Sequence, residues 1–406
     1  MIQAEREEPA ETLQASPQSL SLARNPGIDL LRGLSILLVV LHHVGLRIPL
    51  KQGVLSTCLP KGLLSALIYN GYEAVFVFFV ISGFLITSNS LARWGSLGAI
   101  QIRAFYARRA ARIVPCLVFL VALLAVLHLA GAQDYVISHS NQSLPRAILS
   151  ALGLHLNWYE GHTGYLPGNW DVLWSLSIEE VFYLAFPLAC LGLPRRRFLV
   201  PALLLLAASL PLSHAALAGN PIWQEKAYLP GMAAIAAGVL GALVPVAPAL
   251  RRPWMVPALA AAGALGVGAV LCFENVLWPW LGSGSLLLLT GSAVTLIYAL
   301  RAQAGAGAPW TPRGSGWLRS FGRLSYEVYL THMFVVWPVV RVFRGTGGVL
   351  RWGFLWYVPA LGLSWLLGWL VAKVVSGPCE RALLRVWPAA PGPGAGPSAP
   401  GCPREA

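Results

Sequence analysis

Charge is what this 406-residue chain has least of: Asp, Glu, Lys and Arg make up 11% of it, against 56% apolar residues. A soluble globular protein carries about 25% charged residues, so a water-solvated fold is excluded and a polytopic membrane protein is indicated. Acidic residues are the scarcer sign, 16 against 29 basic, which gives a formal net charge of +13. That excess does not point to nucleic acid, because the basic residues are spread between apolar runs and no basic patch is interleaved with aromatics. Cysteine is sparse as well. Cys58, Cys116, Cys190, Cys272, Cys379 and Cys402 form no CxxC, so neither a zinc site nor a disulfide framework is indicated. The start of the chain is acidic, the reverse of the basic start of a secretory signal. Residues 1–24 are polar and acidic, with Glu5, Glu7, Glu8 and Glu11, and read as a disordered cytoplasmic tail. Residues 386–406, rich in Pro, Gly and Ala, read as a second disordered tail. No internal repeat is apparent.

What the chain has is apolar runs long enough to cross a bilayer, which takes about 20 residues each. Ten lie near 28–48, 69–90, 113–132, 172–193, 198–217, 228–247, 254–273, 283–300, 323–342 and 352–375. The expected fold is therefore all-α, a polytopic membrane helix bundle of about ten transmembrane helices forming one domain over 25–385. With the N-terminus cytoplasmic, 20 of the 29 basic residues fall on inner segments and 8 on outer ones, with Arg32 inside a span. This positive-inside bias predicts that both termini are cytoplasmic.

The first run, IDLLRGLSILLVVLHHVGLR, carries Asp29, Arg32, His42 and His43. On a helical wheel Arg32 and His43 are only about 20° apart, Asp29 shares their stripe, and His42 points roughly 80° away. Charged groups within a span cost about 2.5 kcal/mol or more each at the centre and face protein or a wet cavity. Such a stripe suits a reaction centre; it also suits a helix-end ion pair with a packed core histidine. Three further segments invite the same comparison. SLGAIQIRAFYARRAARIVP places Arg108, Arg109 and Arg112 on a basic helix that matches phosphate oxygens or anchors to anionic lipid. Pro115 stands just inside the third run, where the start of a helix tolerates it. WDVLWSLSIEEVFYLAFPL holds Trp174, Glu179 and Glu180; adjacent residues diverge by about 100°, so one glutamate at most shares a face with Trp174. Either is a site group or an interhelical tie. SYEVYLTH supplies Tyr326, Glu327 and His332, for substrate contact or for helix packing. The outer loop 133–171, with His139, His155, Trp158, His162 and Trp170, reads as an interfacial aromatic belt in preference to a carbohydrate surface.

LLRGLSILLVVLHHVG, FFVISGFLIT, FYARRAARIVP, LWSLSIEEVFYLAFPL and FGRLSYEVYLTHMFVV, in that order, resemble the membrane acyltransferase-3 family of O-acyltransferases, which modify bacterial surface glycans and antibiotics. The resemblance covers most of the first 190 residues and the last two spans; residues 195–315 are generic apolar sequence. It places the family's arginine-then-histidine pattern on Arg32 and His43, its paired arginines on Arg109 and Arg112, and its glutamate and aromatic on Glu179 and Phe182. His42 takes a position often held by an aromatic, and Glu180 becomes the more dispensable acid. Where many members have glycine and an acidic residue before FFVISGF, this chain has Ala74 and Phe76. The C-terminal hydrolase-like domain of long members is absent from this sequence.

The resemblance implies transfer of an acyl group, most often acetyl, from acyl-CoA, with no permanently bound cofactor and no metal. A sugar hydroxyl is a poor nucleophile until a base takes its proton, and a neutral imidazole suits that task. His43 is then expected as general base, or as a transient acyl carrier, with Arg32, Asp29 and Glu179 organising the centre. Arg108, Arg109 and Arg112 are expected to hold the CoA phosphates, and Trp174, Tyr326 and His332 to line the substrate site. His43 lies about 21 Å along the helix from Asp29, towards the outer leaflet. A cytoplasmic donor and an outer carbohydrate, glycolipid or macrolide-like acceptor would meet there. Two rivals are a secondary transporter or flippase, which duplicated halves and broken helices would mark, and a non-catalytic assembly partner. Acceptor identity, acyl length and oligomeric state are open.

Overall fold

The computed structural model describes residues 24–193, 195–307 and 309–386. Apart from Arg24 and Val386, the expected tails over 1–24 and 386–406 lie outside the described residues. Every regular element among the described residues is a helix. The principal ones are α1 (Pro26–Gly45), α2 (Gly71–Trp94), α3 (Ile102–Leu129), α4 (Trp174–Gly192), α5 (Tyr228–Leu243), α6 (Met255–Leu281), α7 (Gly284–Gly305), α8 (Gly316–Arg323), α9 (Ser325–Thr331), α10 (Met333–Gly345) and α11 (Tyr357–Val371).

Eight of the ten apolar runs fold as helices long and apolar enough to cross a membrane. The other two are interrupted. The run at 198–217 breaks at Ser209, between Val200–Ala208 and Leu210–Ala215. There the Ser209 hydroxyl donates to the Leu206 carbonyl, and Pro211 brings no N–H to continue the ladder. The run at 323–342 is divided at Leu324 and His332. Around His332, side chains compete for the backbone carbonyls: Thr331 Oγ1 donates to Glu327 and His332 Nδ1 to Tyr329, each at 2.7 Å. The basic segment and the third run, expected as separate pieces, form one 28-residue helix, α3. Pro115 therefore stands well inside a helix, not at its start, and withholds the N–H that would have reached the Ala111 carbonyl.

Lipid tails are as apolar as leucine, so burial alone gives little reason for two spans to associate; close packing does. Two glycine pairs supply it. On α1 and α8, a Cβ at Gly33 would overlap the Leu318 carbonyl, and one at Gly322 would overlap the Asp29 carbonyl. On α2 and α5, Gly83 presses against the Ile235 carbonyl and Gly238 against the Val80 carbonyl. Each pair is reciprocal, so both helices touch backbone to backbone. α6 lies at the margin of the bundle, with Leu265, Val276 and Trp280 exposed.

The expected aromatic belt over 133–171 is only part of what that loop forms. Helices Leu144–Leu152, Leu156–Thr163 and Gly168–Asp171 fold within it, and Trp170 is fully buried. Lys226, also fully buried, reaches Glu160 at 2.9 Å and pairs with Asp171; Asn157 donates to its backbone carbonyl. The ring pair Trp158–His162, centroids 4.2 Å apart, stays near the surface with Trp223 against His162.

Three stability outcomes follow from this packing. Gly322→Val overfills the α1–α8 crossing and is expected to cost about 1–3 kcal/mol or more, seen as a lower Tm in detergent. Gly291→Ala, where a Cβ meets open space, should leave Tm unchanged or raise it. Lys226→Met strands buried carboxylates without their cation and should cost about 3–5 kcal/mol.

Candidate active site

The polar side chains of the bundle interior run in a column along α1. At its N-terminal end Asn25 caps the helix, accepting from Gly27 and Ile28 while its own amide donates to the Leu300 carbonyl. Arg24 Nε donates to both carboxylate oxygens of Asp29 at 2.8 Å. Asp29, expected among the site residues, is thus tied backwards to Arg24 as a helix-end ion pair. One turn on, Arg32 donates to the Ser325 hydroxyl of α9 through Nη2 at 2.7 Å and Nε at 3.2 Å.

On α3 the three arginines diverge. Arg109 turns into the bundle, its guanidinium carbon 3.3 Å from the Tyr183 ring centroid and Nη2 3.7 Å from Glu180 Oε1. Arg108 is partly buried and Arg112 exposed, so they do not form one fork. The Nε atoms of Arg108 and Arg109 have no protein partner. Tyr183 also bonds the Ser82 hydroxyl of α2. Glu179 lies within electrostatic range of both Arg109 and Arg32, and Arg112 within range of Arg32. Glu180, the acid expected to be dispensable, is the one that approaches Arg109.

Towards the C-terminal end of α1 stands His43. Its Nδ1 lies 2.8 Å from the Val39 carbonyl and 3.3 Å from His332 Nε2; the two ring centroids are 4.9 Å apart. His332 Nδ1 in turn lies 2.7 Å from the Tyr329 carbonyl. Tyr329 is held by a 2.7 Å bond between its hydroxyl and Ser175 of α4. His332, expected in substrate contact, is fully buried behind His43. Tyr326, given the same role, commits its hydroxyl to the Ile113 carbonyl of α3 at 2.9 Å. Trp174 is buried in aromatic packing, stacked on Tyr72 and edge-on to Phe79.

His42 separates from this set, as the wheel requires. Its Nδ1 bonds the Ile68 carbonyl at 2.8 Å, and its ring fills the space beside Gly71. Arg47 closes the column, donating to the His43 carbonyl at 2.7 Å and stacking over Trp337 at 4.1 Å. Ser325, Tyr329, Ser175 and Arg47 carry no motif that singles them out. Only the recurrence of polar residues at Ser325, Tyr329 and His332 along one segment hints at them.

The family described as "Acyltransferase domain" matches residues 25–374. The chain belongs to the acyltransferase-3 family. A candidate O-acetyltransferase of Staphylococcus aureus strain COL is 29% identical over 170 residues. The O-acetyltransferase OatA of Staphylococcus aureus strain NCTC 8325 is 28% identical over 174 residues. In both cases the match covers 40% of this chain and 24% of the relative, so the chain spans about a quarter of the length of these curated relatives. No solved structure matches.

With membership established, the column can be set against the family's pattern. Arg32, His43 and Glu179 face the bundle interior along it, and Arg109 joins them, whereas Asp29 serves the helix end. His42→Ala is expected to lower Tm, because the Ile68 bond and the packing beside Gly71 are lost, while the His43 geometry persists. A Tm equal to that of the unaltered protein would remove the structural role given to His42.

Proposed function

We propose that this chain is an integral membrane O-acyltransferase. It moves an acyl group, most often acetyl, from acyl-CoA on the cytoplasmic side to a hydroxyl of a carbohydrate, glycolipid or macrolide-like acceptor. The observation that carries the reading is the state of His43. A carbonyl oxygen can only accept, so the nitrogen beside Val39 is the protonated one. The other ring nitrogen, Nε2, then holds a bare lone pair, on a ring only partly buried.

The reaction follows from that lone pair. The acceptor hydroxyl gives its proton to His43 Nε2 as its oxygen bonds the thioester carbonyl carbon. The C–S bond breaks, the electron pair leaves with the CoA sulfur, and the imidazolium returns its proton to that thiolate. The carbonyl oxygen carries negative charge in between; Arg32, its donors on Ser325, is not beside that oxygen and instead adds positive potential on the side of the anionic donor. Arg109 and Arg108 offer unpartnered Nε–H groups at the cytoplasmic end, suited to the phosphates of CoA. His43 stands about 16 Å along α1 from Arg32, a span that an extended thioester arm can bridge.

Purified protein supplied with acetyl-CoA labelled in the acetyl group should release CoA thiol and pass label to bacterial envelope glycan. His43→Ala is expected to lower that rate by at least about 10²-fold with the protein still inserted and folded, whereas His42→Ala keeps its turnover per folded molecule. Arg109→Ala should raise KM for acetyl-CoA. Full turnover by His43→Ala would end the general-base assignment.

A further inference from the structure

We infer that His332 is a positioning residue that acts through His43, fixing its tautomer and stabilising the imidazolium that forms on it; this rests on the reading of His43 as the base. The geometry admits one proton arrangement. His332 Nδ1 lies 2.7 Å from the Tyr329 carbonyl and 3.2 Å from the Val328 carbonyl, so it must carry its proton. His332 Nε2 is then bare, and it is that atom which faces His43 Nδ1 at 3.3 Å. The His43 Nδ1–H is shared between the Val39 carbonyl at 2.8 Å and this lone pair.

The reverse arrangement fails at both rings. Moving the His332 proton to Nε2 would set its bare Nδ1 against two carbonyl oxygens. Baring His43 Nδ1 to receive that proton would set a second nitrogen lone pair against a carbonyl, that of Val39. The chain of Ser175, Tyr329, His332 and His43 therefore hands orientation inward from α4 to α1 through α9. In nucleophile–base systems a third group commonly holds the base in its working tautomer. Here that group is a neutral imidazole, and it is wholly enclosed. When His43 takes a proton on Nε2, its Nδ1–H becomes the donor of a charged group, and its bonds to Val39 and His332 strengthen. The other cationic or titratable neighbours are His42, edge-on at 5.2 Å between centroids, and Arg47, which binds the backbone of His43 and not its ring.

Two replacements at His332 separate positioning from packing. Glutamine places an oxygen near Nε2 and keeps an acceptor for His43. Asparagine keeps an N–H for the Tyr329 carbonyl and lacks that acceptor. With the full chain in detergent and acetyl-CoA as the probe, water accepting the acetyl group, His332→Asn should lower kcat by about 10-fold to 10²-fold. KM for acetyl-CoA should not change, and His332→Gln should restore most of the loss. Equal kcat in the two variants and the unaltered protein, or a rise in KM alone, would overturn the inference. Should the variants fail to fold, 15N-histidine spectra of the unaltered protein decide it. His43, identified by the resonance missing in His43→Gln, is expected to be protonated at Nδ1 and bare at Nε2; the opposite tautomer overturns the inference. A His43→Ala variant with full turnover would instead defeat the general-base reading and leave the tautomer result standing.

Discussion

Gly33 and Gly322 allow α1 and α8 to meet with each backbone against the other's carbonyl, and the placement of the interior polar groups depends on that contact. α8 leads through a single residue into α9 and then α10, so fixing it on α1 also fixes the segment that carries Ser325, Tyr329 and His332. Two polar contacts at different heights, Arg32 with Ser325 and His43 with His332, show that α1 and this segment run in the same direction. Larger residues at the crossing would move the two elements apart, and the 3.3 Å separation between the imidazoles would not survive it.

The interior column also explains why so many polar groups are tolerated within an apolar bundle. Each is costly alone in a low-dielectric setting and acceptable when its partner is built in. Asp29 has Arg24, Arg32 has Ser325, Arg109 has Tyr183 and Glu180, and Tyr329 has Ser175. Among the groups left short of partners, Nε of Arg108 and Arg109 lies on α3 and Nε of Arg47 just past the C-terminal end of α1. Those are the places where a donor and an acceptor would enter under the proposed reaction. Lys226 with Glu160 and Asp171 does the corresponding task for the loop 133–171, tying it to the segment that leads into α5.

How far the sequence is legible depends on the range of the contact. The stripe of Arg32 and His43, and the divergence of His42 from it, follow from helical period alone, and the structure keeps both. Eight of the ten runs are long helices because composition over about 20 residues decides that. The breaks at Ser209 and His332 escape the apolar count, because they come from side chains bonding local carbonyls, which hydropathy does not register. Roles that depend on another helix are least visible. Nothing in SYEVYLTH distinguishes a substrate-facing His332 from one buried behind His43, and nothing tells that the Tyr326 hydroxyl is taken by Ile113. Similarly, the spacing of Arg108, Arg109 and Arg112 suggests one cluster, yet only Arg109 meets α4, because the facing surface of α4 selects it.

The central claim is that one column joins a donor site at the N-terminal end of α1 to His43 near the opposite face. Sided reconstitution tests it most directly. Protein inserted in one orientation in vesicles is given labelled acetyl-CoA only on the side of Arg109 and envelope glycan only on the other. The account predicts labelled glycan with no acetyl-CoA crossing the bilayer. Label transfer only when donor and acceptor share a side would contradict it.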